Sequence, residues 1–241
     1  MKNGVLALIA SASLAVMTCP AQAVVITDCC DWATGWAFSS YTAAGAGTAS
    51  AVVEGSGGNP GARLRITTIT PTISDTAFGT AVLTTSGTPA PTAGAAFTLN
   101  IDALSGPGAF GQGQLIELLV AQGGSVYALA LSGTGFPLNS WTTLTFNGNF
   151  NAGSFVRVSG VGPATPSFDG VTVTTYGFAA GNTQSATLTQ YYDNFRLTIP
   201  SIGAPPPGVS QVPTLSEWAM LALMLLLAGF AARALARRGL R

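Results

Sequence analysis

The sequence contains no histidine, and its only lysine is Lys2. Without histidine, the commonest general base and the commonest metal ligand are both missing. Nucleophilic triads of the Ser-His-Asp or Cys-His kind are therefore excluded. Charge of either sign is scarce, at 7% of residues against about 25% in a typical soluble domain. Cysteine is limited to Cys19, Cys29 and Cys30. Adjacent residues sit too close for an ordinary disulfide. Cys29 and Cys30 therefore form a strained vicinal bridge, stay reduced, pair with another chain, or simply pack as small buried residues. No CxxC metal spacing occurs. Long amphipathic helical patterns are also lacking ahead of the C-terminal tail.

The net charge of +0 conceals two basic ends. Between Val24 and Gln211 the acids are Asp28, Asp31, Glu54, Asp75, Asp102, Glu117, Asp169 and Asp193, and the bases are Arg63, Arg65, Arg157 and Arg196. This mildly acidic stretch offers no basic patch, which excludes a nucleic-acid partner.

What is present divides into four parts. Met1-Lys2-Asn3 is a short basic start, Gly4 to Met17 is an apolar run, and Ala21-Gln22-Ala23 is an A-x-A cleavage site. Residues 1–23 therefore read as a secretory signal peptide, cut after Ala23. The competing reading is a lipoprotein signal through Cys19, in which Thr18 stands where a small Gly, Ala or Ser is usual.

Residues 24–200 read as an all-β ectodomain. Leu64 and Ile66 alternate with Arg63, Arg65 and Thr67. Val171-Thr172-Val173-Thr174 repeats the pattern, Leu144 and Phe146 alternate with threonines, and Phe195, Leu197 and Ile199 share one face. Such alternation marks half-buried strands. Leu115 to Val120 and Tyr127 to Leu131 are more continuously apolar and suit central strands. Turn chemistry falls at Gly55 to Gly61, Ser105 to Gly108, Gly123-Gly124-Ser125, Gly133-Thr134-Gly135 and Asn147-Gly148-Asn149. About ten short strands at such spacing favour a β-sandwich or barrel. No clean internal repeat is visible.

Residues 201–211, with Pro205-Pro206-Pro207, form a semi-extended linker. Residues 212–241 are the tail. Trp218 to Ala236 is apolar apart from Arg233 and spans about 28 Å as a helix, close to the about 30 Å of a hydrocarbon core. The segment reads as a single transmembrane helix at about 218–236. Trp218 sits at one interface, and Arg233, Arg237, Arg238 and Arg241 anchor the cytoplasmic side.

Val212-Pro213-Thr214-Leu215-Ser216-Glu217-Trp218, an apolar helix and a basic end together resemble the IPTL-CTERM sorting domain of Gram-negative bacteria. Val212 stands where that family prefers Ile, and Ala219 where Gly is common. The resemblance implies recognition of Val212, Pro213, Thr214, Leu215 and Trp218 by a membrane protease of the exosortase type. It also implies cleavage near the motif and transfer to an envelope acceptor. The expected route is export through the inner membrane, an inner-membrane-anchored precursor, and then the periplasm, outer surface or matrix.

The ectodomain carries a second resemblance. Ser56-Gly57-Gly58-Asn59-Pro60-Gly61, the tryptophan-led strand Trp141 to Phe146, and Tyr191 to Leu197 occur in that order. The order resembles jelly-roll sandwiches of bacterial envelope proteins, including laminin-B-like and carbohydrate-binding modules. That resemblance implies a jelly-roll-like β-sandwich, a fold that can carry a structural calcium; no metal is assigned, and Asp28, Asp31 and Asp193 are the candidate ligands for that option. No other cofactor is expected. Asp193 alternatively fixes the turn into the last strand.

Sugar-binding sandwiches stack exposed aromatics on pyranose faces. The available rings are Trp32, Trp36, Tyr41, Trp141, Tyr176 and Tyr191. Trp32 and Trp36 share a face in an extended strand and form the candidate glycan platform, or equally an edge of the core. A carboxylate-only glycoside hydrolase would need Glu54 and Glu117, the domain's two glutamates, to meet. Three functions follow in order of support: a non-catalytic envelope protein that binds polysaccharide, a structural or adhesive protein with no small ligand, and the hydrolase.

Overall fold

The computed structural model describes residues 23–27, 32, 34–85, 87–106, 114–131 and 140–200. The signal peptide up to Gln22, Asp28, Cys29, Cys30, Asp31, the linker and the tail with its sorting motif and arginines lie outside the described residues.

In chain order the strands are β1 (Val24–Thr27), β2 (Trp36–Ala44), β3 (Thr48–Gly58), β4 (Gly61–Thr70), β5 (Thr76–Leu83), β6 (Thr88–Pro89) and β7 (Ala96–Ser105). There follow β8 (Gln114–Gln122), β9 (Ser125–Leu131), β10 (Thr142–Asn149), β11 (Val156–Ser159), β12 (Val173–Asn182) and β13 (Ala186–Ile199). A single 3-10 turn, Ala152–Ser154, stands between β10 and β11. The first sheet runs β10-β7-β13-β4-β3, with β1 on the far half of β13. The second runs β11-β9-β8-β12-β5-β2, with β6 beside β12. The paired strands are antiparallel. The two sheets enclose one core, so the domain is an all-β, jelly-roll-like sandwich.

The inner faces follow the alternation in the sequence. Leu64 and Ile66 of β4, Leu99 and Ile101 of β7, Leu118 and Val120 of β8, and Phe178 of β12 meet in the core. On β13 the alternation changes parity. Leu188, Gln190 and Tyr192 are buried, and then Phe195, Leu197 and Ile199 are buried. A register shift between Asp193 and Arg196 causes the change. Asn194 adopts a φ of 50° there, and the extra residue turns the strand by one position.

The second sheet is buried on both faces. Its two end strands, β2 and β11, approach each other, so the sheet curls. Inside the curl a smaller apolar cluster forms from Phe78, Leu119, Ala128 and Ala179, with Tyr41, Val82, Val126 and Val158 packed against it. Strands covered on both sides read as continuous apolar runs, which is why Leu115 to Val120 lacks alternation.

Two turns behave differently from each other. Gly123 (φ 55°) and Gly124 (φ 80°) form the two-residue connection between β8 and β9, the backbone that favours glycine in a hairpin. Asn147-Gly148-Asn149, expected as a turn, is the end of β10 and pairs with Thr98, Phe97 and Ala96. Gly148 serves packing there: a Cβ at this position would fall 2.6 Å from Phe97 Cζ. Glycine inside a strand often marks such a close approach.

Candidate functional site

The curl of the second sheet makes a trough on the side away from the main core. Residues of alternate parity line it, because β2 sends Trp36 and Phe38 inward to the main core and Tyr41 outward. A cavity of about 240 Å3 opens between Ser39 and Tyr41 of β2, Thr80 and Val82 of β5, and Val126 and Val158 of β9 and β11. The floor beside it is low, because Gly177 and Gly181 of β12 alternate there with Ala179. A Cβ on Gly181 would run into the Phe78 ring, and one on Gly177 into the carbonyl oxygen of Ala81.

Tyr41 lines the trough. Its ring stacks on Phe78, with centroids 4.9 Å apart and planes 14° apart. Its hydroxyl donates a short hydrogen bond to Glu117 Oε2. Burial pushes the Glu117 carboxyl above its usual range, and the Tyr41 hydroxyl pulls it part of the way back. Burial, and then the Glu117 charge, push the Tyr41 hydroxyl well above its ordinary range, so it stays protonated. The trough therefore holds a phenol ring and hydroxyls over an apolar floor, with the Glu117 carboxylate held by the phenol rather than lining the cavity.

Glu54 is not near this place. It lies on the outer face of the first sheet, where Arg63 Nε donates to it at 2.7 Å and Arg65 Nε stands 3.3 Å away. Glu117 lies on the outer face of the second sheet. The two glutamates sit on opposite outer faces of the sandwich and do not flank one position, as a pair of glycosidase carboxylates must.

Trp32 and Trp36 do not form a platform. Trp32 is 0% exposed, with ring centroids 4.9 Å from Trp36 and 5.8 Å from Phe178. Trp36 meets Phe195 edge-on at 5.4 Å. Both rings join the core, where the apolar area of an indole is worth most. Tyr176 is buried too, Trp141 is half-buried, and Tyr191 lies beneath the Arg63 guanidinium, 3.6 Å from its ring centroid.

Asp193 is fully buried at the bulge. Its carboxylate accepts the Asn59 and Asn194 backbone N–H groups. Asp102, opposite it in the sheet, accepts Asn59 Nδ2 at 3.1 Å, Asn194 Nδ2 at 2.8 Å and Thr143 Oγ1 at 2.5 Å. Burial raises the Asp193 carboxyl and the neighbouring Asp102 adds to this, while the two N–H donors oppose it. Amide N–H groups on both carboxylates make a hydrogen-bonded turn. Asp193 thus fixes the Gly57–Gly61 turn against the last strand. Asp28 and Asp31 lie outside the described residues, among which no group of three or more acids or cysteines converges.

A second concavity went unmarked in the sequence. It measures about 470 Å3 and lies between Leu129–Leu131 of β9 and Thr145–Asn149 of β10, with Asn151 and Ser154 at one end. Asn147, Asn149 and Asn151 recur at every second position and were the one available signal.

The chain matches known proteins in two places. Residues 211–238 carry the IPTL-CTERM motif. No curated protein matches the chain. Among solved structures, a family 11 carbohydrate-binding module from Clostridium thermocellum, in complex with a β-1,3-1,4-mixed-linked tetrasaccharide, is 16% identical; the match covers 76% of this chain and 99% of that one, with a TM-score of 0.44. The CBM22-1 xylan-binding domain of Paenibacillus barcinonensis Xyn10C is 9% identical over 77% and 100% of the two chains, with a TM-score of 0.42. The shared signature is therefore that of the tail: the chain ends in an IPTL-CTERM motif.

Proposed function

We propose that this is an exported, non-catalytic envelope protein of a Gram-negative bacterium, sorted through its tail, whose sandwich holds a neutral polysaccharide in the trough of the curled sheet. The observation that carries the sorting half is the IPTL-CTERM motif over residues 211–238. An exosortase-type enzyme reads Val212 to Trp218 in the inner membrane and releases the ectodomain from its anchor. The apolar run and the arginines hold the precursor until then.

The geometry of the trough supports the binding half. Its lining is Ser39, Thr80, Ala37 and valines, with one tyrosine ring, a surface that offers hydroxyls to sugar hydroxyls and apolar contacts to their C–H faces. The cavity of about 240 Å3 is smaller than the about 300–1,000 Å3 of most ligand sites. A Tyr41 ring swung off Glu117 would enlarge it and free the carboxylate to accept a sugar hydroxyl. The placement of Glu54 and Glu117 on opposite faces supports a binding role over hydrolysis.

One observation favours the structural or adhesive reading instead. Val156 (68% exposed), Val161 (90%) and Val173 (66%) leave large apolar side chains in solvent, and exposed apolar surface often marks assembly. Retention on immobilised polysaccharide separates the two. Ser39→Trp fills the trough from an exposed position without touching the core. Weakened retention with unchanged melting is expected. Equal retention by parent, Ser39→Trp and Tyr41→Ala would contradict the trough.

A further inference from the structure

The groove between β9 and β10 is an open concavity of about 470 Å3. It lies within the range of about 300–1,000 Å3 usual for ligand sites. Its position follows from the topology. β10 is the end strand of the first sheet. On the second sheet, β11 pairs with β9 only as far as Ala128, so Leu129–Leu131 continue past their neighbour on that side. The two sheet edges face one another across the gap.

The lining has a definite chemistry. Phe97, Phe146 and Leu131 form an apolar floor, each no more than 8% exposed. Gly148 lets the β10 backbone lie directly on the Phe97 ring. Asn147, Asn149 and Asn151 line the groove along the exposed side of β10 and just beyond its end. Thr98 donates to Asn147 Oδ1 at 2.8 Å, and the Asn147 amide N–H groups have no partner among the described residues. The Asn149 and Asn151 side chains are exposed and have no hydrogen-bond partner among the described residues. Among the described residues that line the groove none is charged.

A primary amide donates and accepts at once, which suits a hydroxyl that also does both. An uncharged lining gives an anion or a cation nothing to pair with. An apolar floor takes the C–H face of a sugar ring. We infer that the groove between β9 and β10, floored by Phe97 and Phe146 and rimmed by Asn147, Asn149 and Asn151, is a second binding site for a neutral oligosaccharide. This extends the reading of the sandwich as a polysaccharide binder.

Val126 of β9 lines the trough and Ala130 of the same strand lines the groove. At about 3.3 Å per residue the two are about 13 Å apart along the strand. Two sites so close on one strand let one protein hold two glycan segments, and linked sites raise the effective concentration of the second segment.

The test uses the full chain in detergent, titrated calorimetrically with neutral oligosaccharides of four to six glucose, xylose, mannose or galactose units. The variants are Asn149→Ala/Asn151→Ala for the groove and Ser39→Trp for the trough. All three positions are exposed, and melting curves verify folding. Two molecules bound per parent chain are expected, falling to one in each variant, with groove affinity down by about tenfold or more as two amide contacts are lost. Binding unchanged in the asparagine variant but lost in Ser39→Trp overturns the groove and leaves the trough standing. The reverse pattern supports the groove and overturns the trough. A groove that takes an extended polythreonine peptide along its strand edges, and no oligosaccharide, overturns the inference, as does a panel that binds nowhere.

Discussion

Tyr41 on the end strand β2 donates its hydroxyl to Glu117 on β8, across the two intervening strands β5 and β12. Only the curl of the second sheet brings these residues together, 76 positions apart. Tyr41→Phe removes the donor and leaves a half-buried carboxylate short of a partner. A loss of about 1–3 kcal/mol at neutral pH is expected, read from urea unfolding. Glu117→Gln keeps an oxygen acceptor for the phenol and should cost less. Additive losses in the double variant would show that the two residues do not interact.

Glu117 and Asp193 have carboxyls raised above their ordinary values of 4.5 and 3.8, each first by burial. Asp75 and Asp169 are lowered, Asp75 mainly by the Ala46 N–H and Asp169 mainly by the Thr172 N–H. A raised acid binds more protons folded than unfolded, so its contribution to stability falls as pH rises from its unfolded value to its folded one. A lowered acid contributes fully above its unfolded value and loses that contribution as pH falls through the folded one. Stability should therefore decline on both sides of a mildly acidic maximum. Glu117→Gln should flatten the decline above pH 4.5 and leave the strongly acidic limb intact. Melting curves of parent and variant that superimpose above that pH would contradict the burial of the Glu117 charge.

Trp32→Ala should behave as a core truncation. With the indole fully buried against Trp36 and Phe178, a loss of about 3–5 kcal/mol is expected. Polysaccharide retention per folded molecule should stay unchanged. A stable Trp32→Ala protein that has lost retention would restore the platform reading.

The fold was legible where one face of a strand meets the core and the other meets water. Leu64 and Ile66 against Arg63 and Arg65 is such a case, and so is Phe195-x-Leu197-x-Ile199. The parity change at Asp193 was not legible, because a bulge has no hydrophobic signature. The spacing of Trp32 and Trp36 leaves a platform and an edge of the core equally open, because it carries no sign of whether the rings look inward, nor that Trp32 precedes β2 in a turn. Tyr41 and Glu117 were each visible as a ring and an acid. Their meeting depends on sheet curvature, which strand patterns do not encode.

Gly148→Val should destabilise the end of β10. The nearest approach, 2.6 Å from a Cβ to Phe97 Cζ, forces the ring to move, at a cost of about 1–3 kcal/mol for overpacking. Asn147-Gly148-Asn149 read as a free turn would accept the substitution with almost no change. Thermal melting of the variant distinguishes these outcomes.

The processed ends of the protein test sorting through the tail most directly. The measurement is the intact mass and terminal peptides of the chain purified from its native envelope. An N-terminus at Val24 and a C-terminus within Val212 to Trp218 are expected, since the tail is then a sorting signal removed after use. Persistence of the peptide through Arg241 in the mature protein would make it a simple C-terminally anchored membrane protein and contradict sorting.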